Sequence, residues 1–103
     1  MWYAANIFMQ SHSEATDSNG LWEESIVLVD AESEAEAIDI AEIEGRSKES
    51  QYANADNRNV SWKFVKVERV CAIEATTLTS GIELFSRFLR NEEAMSLLSP
   101  ATK

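Results

Sequence analysis

The sequence predicts an α+β fold: a four-stranded antiparallel sheet in the order ββαββ, one main helix packed on one face, and a short C-terminal helix. Three observations carry this. An alternating segment, Leu21 to Ala31, runs directly into a Ser-x-x-Glu capping signature at Ser33 to Glu36. Three further segments, residues 2–10, 60–74 and 82–89, alternate with the period of a strand. The whole chain has only 103 residues, 45% hydrophobic and 26% charged, which suits one globular domain and leaves no room for a second.

The elements follow in order. The first strand, Trp2 to about Gln10, is apolar on both faces, with Trp2, Ala4 and Phe8 on one and Tyr3, Ala5, Ile7 and Met9 on the other. Residues 11–20 are polar and end in Asn19-Gly20, a turn signal, so antiparallel pairing of the first two strands is the simplest topology. In the second strand Trp22, Glu24, Ile26 and Leu28 share one face, and Glu23, Ser25, Val27 and Val29 the other. The Ser33 hydroxyl is placed to accept the Glu36 amide hydrogen, with the Glu36 carboxylate reaching back to the Ser33 amide. Ala37, Ile38, Ile40 and Ala41 then form a stripe at helical spacing with Ile43 at its margin, and Gly45 is the residue expected to stop the helix.

After a polar connection, Arg46 to Asn59, the candidate third strand runs from Val60 to Glu74. Val60, Trp62 and Phe64 fall on one face and Val65, Val67, Cys71 and Ile73 on the other, a phase change that predicts a bulge or bend. At about 3.3 Å per residue such a strand is long for a small sheet and is expected to break or to reach past its domain. Thr76 to Gly81 reads as a turn and Ile82 to Leu89 as the fourth strand. A final helix begins at Asn91 as its cap, with Glu92 and Glu93 in the first turn, and closes at Pro100. Residues 1–98 thus form the domain and 99–103 a short tail.

One helix covers one sheet face. The apolar residues left over include Trp2 or Tyr3, Trp22 or Val27, Phe64 or Val65, and Leu84 or Phe85, so the second face is expected to be a homodimer interface or the seat of a partner protein. Charge divides the chain as well. No Lys or Arg precedes Arg46, whereas 11 of the 18 acidic residues do, and the net charge is −9. Such a surface disfavours duplex nucleic acid and anionic membranes, and steers basic proteins toward it. The simpler role for an exposed acidic helix is solubility. No apolar run approaches the roughly 20 residues of a membrane span. The N-terminus has no signal-peptide pattern, and the single cysteine, Cys71, allows no internal disulfide; a cytoplasmic protein is expected.

The run Trp2-Tyr3 followed by Ala5, the strand Leu21 to Val29, the acidic helix, Trp62-Lys63-Phe64-Val65 and Glu83-Leu84-Phe85-Ser86-Arg87-Phe88 together resemble a bacterial family known as a domain of unknown function, the 4288 family. The resemblance extends to about Leu89. It implies a small stand-alone domain of bacterial or phage origin, and brings no reaction, cofactor or catalytic residue with it.

The residues themselves offer few chemical constellations. Glu83 and Arg87 share a face of the expected fourth strand, roughly 13 Å apart, with Phe85 between them. Glu23 and Glu24 start the second strand, within reach of Arg87 or Lys63 across a sheet. A ligand site built from Arg87, Lys63, Glu83, Glu23, Trp22 and Trp62 would grip a carboxylate or phosphate bidentately through the arginine and stack a ring on the tryptophans. The competing role, cross-strand ion pairs that fix register and tryptophans buried in the core or a dimer interface, is favoured. His12 stands alone in a polar loop and no metal set is visible. Cys71 reads as a small buried hydrophobe, and Gly20, Gly45 and Gly81 are too scattered for a phosphate loop.

The functional expectation is therefore a small acidic, non-enzymatic binding domain without cofactor. It would be a dimer that binds, neutralises or regulates a partner in the manner of an immunity protein or inhibitor, with Glu34, Glu36, Asp39 and Glu42 as the partner-binding acidic face. The alternative is a protein that sequesters a nucleotide or other small anion at the dimer seam. An enzyme using Glu23, Glu24 or Glu83 ranks last, since nothing places a nucleophile or metal beside them.

Overall fold

The computed structural model describes residues 1–13 and 20–99. The elements are β1 (Trp2–Ser13), β2 (Trp22–Asp30), α1 (Glu34–Ser47), β3 (Ser50–Ala53), β4 (Asn59–Ile73) and α2 (Asn91–Leu98). The four strands form one antiparallel sheet in the order β2-β1-β4-β3, and α1 packs on one face of it against β1, β4 and β2. This is the α+β class and the ββαββ order that the sequence predicts.

The central place of β1 explains its apolar character on both faces: residues Tyr3 to Ile7 are buried without interruption. Tyr3, Ala5, Ile7 and Met9 meet Val29, Ala31, Ala37, Ala41 and Val67 in the core under the helix. On α1 the residues turned to the sheet are small and four apart, Ala37, Ala41 and Gly45, all buried. Backbone therefore lies close to sheet. Ile38 and Ile40 flank this ridge half-buried, while Ile43 is exposed.

At the helix start the Ser33 hydroxyl accepts the Glu36 amide at 3.1 Å, as the capping signature predicts. The reciprocal bond differs, because the Glu36 carboxylate takes the Glu32 amide at 2.7 Å rather than that of Ser33. Gly45 does not end the helix, which continues to Ser47. A Cβ at position 45 would collide with the Phe64 ring and lie 3.2 Å from Ile7 Cγ2, so glycine is needed there for close approach. Its spacing on the buried ridge, not a left-handed turn, accounts for it.

The strand β4 is longer than expected of a small sheet, yet it is continuous over 15 residues. Its register against β1 shifts twice, between Asn6 and Ile7 and between Phe8 and Met9, leaving Glu68 and Val65 as the extra residues. The bulge at Val65 is the one that the phase change predicts. The second, at Glu68, restores alternation so that Trp62, Phe64, Val67 and Val70 all serve the helix side. Val67 thus lies on that side, and not with Cys71 and Ile73 on the other.

The fourth strand comes from a different segment than expected. Within the polar connection, β3 pairs with residues 59–62 through a turn built on Asn54, whose side-chain oxygen accepts the amides of Asp56 at 2.9 Å and Arg58 at 3.1 Å, with Asn57 left-handed at φ 61°. Residues 82–89 form no strand. The segment lies along a surface with Ile82, Phe85 and Arg87 half-buried and Leu84, Phe88 and Leu89 exposed, so its burial does not follow the alternation of its sequence. The bulges at Val65 and Glu68 interrupt the regular edge that another strand would need. The turn before this segment is present, with the Ile82 amide bonded to the Thr79 carbonyl at 3.3 Å and Gly81 at φ 95°.

The final helix has Arg90 and not Asn91 at its N-cap position, and the Arg90 amide donates to the Glu93 carboxylate at 2.8 Å. Asn19 and Pro100, to which the sequence assigns a turn and a helix stop, lie outside the described residues, as does the tail beyond Ser99.

Candidate functional site

The sheet face opposite α1 is laid out as a grid by the two registers of β1. Five rows cross it from β2 through β1 to β4: Trp22–Gln10–Lys63, Glu24–Phe8–Lys66, Ile26–Asn6–Arg69, Leu28–Ala4–Cys71 and Asp30–Trp2–Ile73. The β4 column is basic for three rows and then apolar. The β2 column mixes large apolar residues with two carboxylates.

Only part of this face is covered. The segment after Gly81 returns over the β4 side: Arg69 donates to the Ser86 carbonyl at 3.1 Å, and its guanidinium lies 5.3 Å from the Phe85 ring centre. Arg87 lies over the same ring at 5.9 Å and pairs with Glu68 at 3.7 Å. Trp22, Ile26 and Leu28 on the β2 side remain 54%, 50% and 53% exposed. A small apolar cleft of about 170 Å³ opens where Trp2, Leu28 and Ile73 meet Leu78 and Ile82.

Beneath this surface, Asn6 is fully buried and Gln10 nearly so. Asn6 Nδ2 donates to Glu24 Oε2 at 2.7 Å, but Asn6 Oδ1 and Gln10 Nε2 have no partner among the described residues. Each such orphan costs about 1–3 kcal/mol. Phe8 lies between them in sequence and meets Trp22 edge to face at 6.5 Å. Among the described residues, no ion pair is formed by Lys63 or Lys66.

The structure brings together some of the candidate ligand residues and separates others. Trp22 and Lys63 flank Gln10 in one row. Glu23 and Trp62 are on the α1 side, opposite Met9 and Ser11, where the Trp62 indole nitrogen donates to the Tyr52 hydroxyl at 3.4 Å. Arg87 is engaged by Phe85 and Glu68, and Glu83 is exposed. Because β1 lies between β2 and β4, neither Glu23 nor Glu24 is a direct neighbour of Lys63. The three tryptophans do not cluster: Trp2 and Trp22 stand at opposite ends of the open face and Trp62 is on the other. The residues that reasoning from sequence missed are Asn6, Gln10, Lys66 and Arg69. Asn6 and Gln10 could have been found as two amides four apart in an otherwise apolar strand.

On the far side, Glu34, Glu36, Asp39 and Glu42 are all exposed on α1. Among the described residues no group of three His, Cys, Asp or Glu side chains is placed to hold a metal ion, and no helix is long and apolar enough to cross a membrane.

Residues 2–86 match the model of a family described as a domain of unknown function, DUF4288. The chain belongs to the DUF4288 family. No curated protein and no solved structure shows significant similarity to it. The DUF4288 match takes in the whole sheet and α1 and ends at Ser86, within the segment that lies on the open face.

Proposed function

We propose that this DUF4288 chain is a non-enzymatic binding domain that works as a homodimer through the sheet face opposite α1, and presents its acidic helices to a basic protein partner. The observation that carries the reading is the exposure of Trp22, Ile26 and Leu28 on one face of β2, with Glu24 between Trp22 and Ile26 and with Leu78 and Ile82 approaching Leu28 at the rim. Large apolar side chains grouped on one face are the mark of an interface. A seam on this face leaves α1 of each copy outward, so that Glu34, Glu36, Asp39 and Glu42 appear twice on one particle, free to bind and neutralise or regulate a partner.

Sedimentation of the wild-type chain and of Leu28→Lys tests this. Leu28 is half exposed, so the substitution leaves the fold intact; the wild type should run at twice the 11.5 kDa chain mass and the variant at the chain mass. A wild type that stays monomeric at tens of micromolar would refute the reading. A second reading, an anionic small molecule held at the seam, is favoured by one feature: the unpartnered Gln10 amide between Lys63 and the Trp22 indole. Here Lys63→Ala would abolish ligand retention in native mass spectra while the dimer persisted.

A further inference from the structure

The helix α2 has eight residues, and no Cα of it comes within 8 Å of any other helix or strand among the described residues. Isolated helices shorter than about 12–15 residues are marginal in water, so α2 needs a surface to lie on. Among the described residues no helix or strand of its own chain provides one. Met95, Leu97 and Leu98 are all more than half exposed; Met95 and Leu98, three apart, share one face of the helix, while Leu97 lies away from Met95 beside Glu93.

The same chain also carries an uncovered surface of matching chemistry. The segment from Ile82 to Arg87 covers the β4 side of the open face and then leaves it, while the β2 side keeps Trp22, Ile26 and Leu28 exposed. Charge agrees as well. Among the described residues Lys63 and Lys66 on this face and Glu92 in the first turn of α2 all lack an ion-pair partner.

We propose that α2 of each copy docks on the β2 side of the open sheet face of a second copy, Met95 and Leu98 against Ile26 and Leu28, with Glu92 reaching the Lys63 and Lys66 side. The occupant is a second copy because one chain contains both the unsupported helix and the uncovered face. Mutual exchange then closes under a two-fold axis and leaves no free end to propagate. The inference rests on the homodimer reading above and adds the element that makes the seam: the exposed apolar residues of α2 and of β2 cover each other, and the exchanged helices clasp the two sheets.

The test is a chain ending after Leu89, compared with the full chain and with a full-length Met95→Asp/Leu98→Asp variant by sedimentation equilibrium. Because α2 touches no other element, its removal leaves the thermal melt of the sheet unchanged in the monomeric range. Docking predicts that the full chain is dimeric and that both alterations raise the dimer dissociation constant at least tenfold. A shortened chain that dimerises within twofold of the full chain would overturn α2 docking and leave the dimer reading standing. A full chain that is monomeric at tens of micromolar would overturn both.

Discussion

Gly45→Ala isolates the packing that sets the distance between α1 and the sheet. A methyl group on residue 45 would overlap the Phe64 ring, with Cε1 at 2.6 Å, and press Ile7 Cγ2 at 3.2 Å. Carbon contacts prefer about 3.5–4.0 Å, so the ring must retreat by roughly 1 Å. The Arg46 guanidinium also lies over this ring, 5.0 Å from its centre. Replacing glycine by alanine inside a helix is worth about 1 kcal/mol in its favour, and overpacking of this kind costs roughly 1–3 kcal/mol. The structure places the clash at the upper end, so the net effect is a loss of about 1–2 kcal/mol. For a domain of this size that lowers Tm by roughly 4–8 °C per kcal/mol, and urea denaturation reads the same loss as a shifted midpoint at unchanged slope. In a Phe64→Ala background the ring is gone and only Ile7 Cγ2 at 3.2 Å must give by a few tenths of an ångström, so Gly45→Ala should then stabilise by somewhat less than about 1 kcal/mol. The sign must reverse between the two backgrounds. An equal effect in both, or a stabilising one in the wild type, would refute close approach as the reason for glycine.

Two further predictions concern the helix starts. Ser33→Ala removes the acceptor for the Glu36 amide and should cost about 1 kcal/mol in urea denaturation; a loss of under about 0.3 kcal/mol would mean that Glu36 and its bond to Glu32 suffice as the cap. The Glu93 carboxyl is held below the usual glutamate pKa, first by the Arg90 amide, then by the Arg90 guanidinium, which lies at 3.3 Å. A carboxyl with a depressed folded-state pKa stabilises the helix start fully above the ordinary glutamate value, and the contribution fades as pH falls through the lowered one. Side-chain carbon NMR shifts should therefore place the Glu93 titration below the ordinary glutamate value, and a titration at or above that value would remove this cap from the account.

What the sequence revealed and what it hid have separate physical causes. The capping serine, the alternation of Trp22 to Val29 and the phase change at Phe64 and Val65 are local signals, and each is expressed locally. The register-dependent features were hidden. A second bulge at Glu68 turns Val67 toward the helix, which no simple period of two can announce. Gly45 has the composition of a helix stop and the environment of a buried ridge, and only the position of Phe64 distinguishes them. Ile82 to Leu89 alternates in sequence as a strand would, yet its half-buried residues Ile82, Phe85 and Arg87 fall on both faces of that alternation. The short strand β3 is fully exposed, so it has no apolar alternation to read; its signal is the turn chemistry of Asn54. The candidate face needed the strand order most of all. With β1 between β2 and β4, Trp22 and Lys63 come to one row through Gln10, whereas Glu23 and Trp62 go to the far side.

The central claim is that the open sheet face meets a second copy, and isotope-filtered NMR on a dimer of mixed labelled and unlabelled chains tests it most directly. The account predicts intermolecular contacts from the methyl groups of Ile26 and Leu28 and from the Trp22 ring, and none from Ile43, which is more exposed than any of them but on the opposite side of the molecule. Intermolecular contacts centred on Ile43 and α1, or none at millimolar concentration, would contradict it.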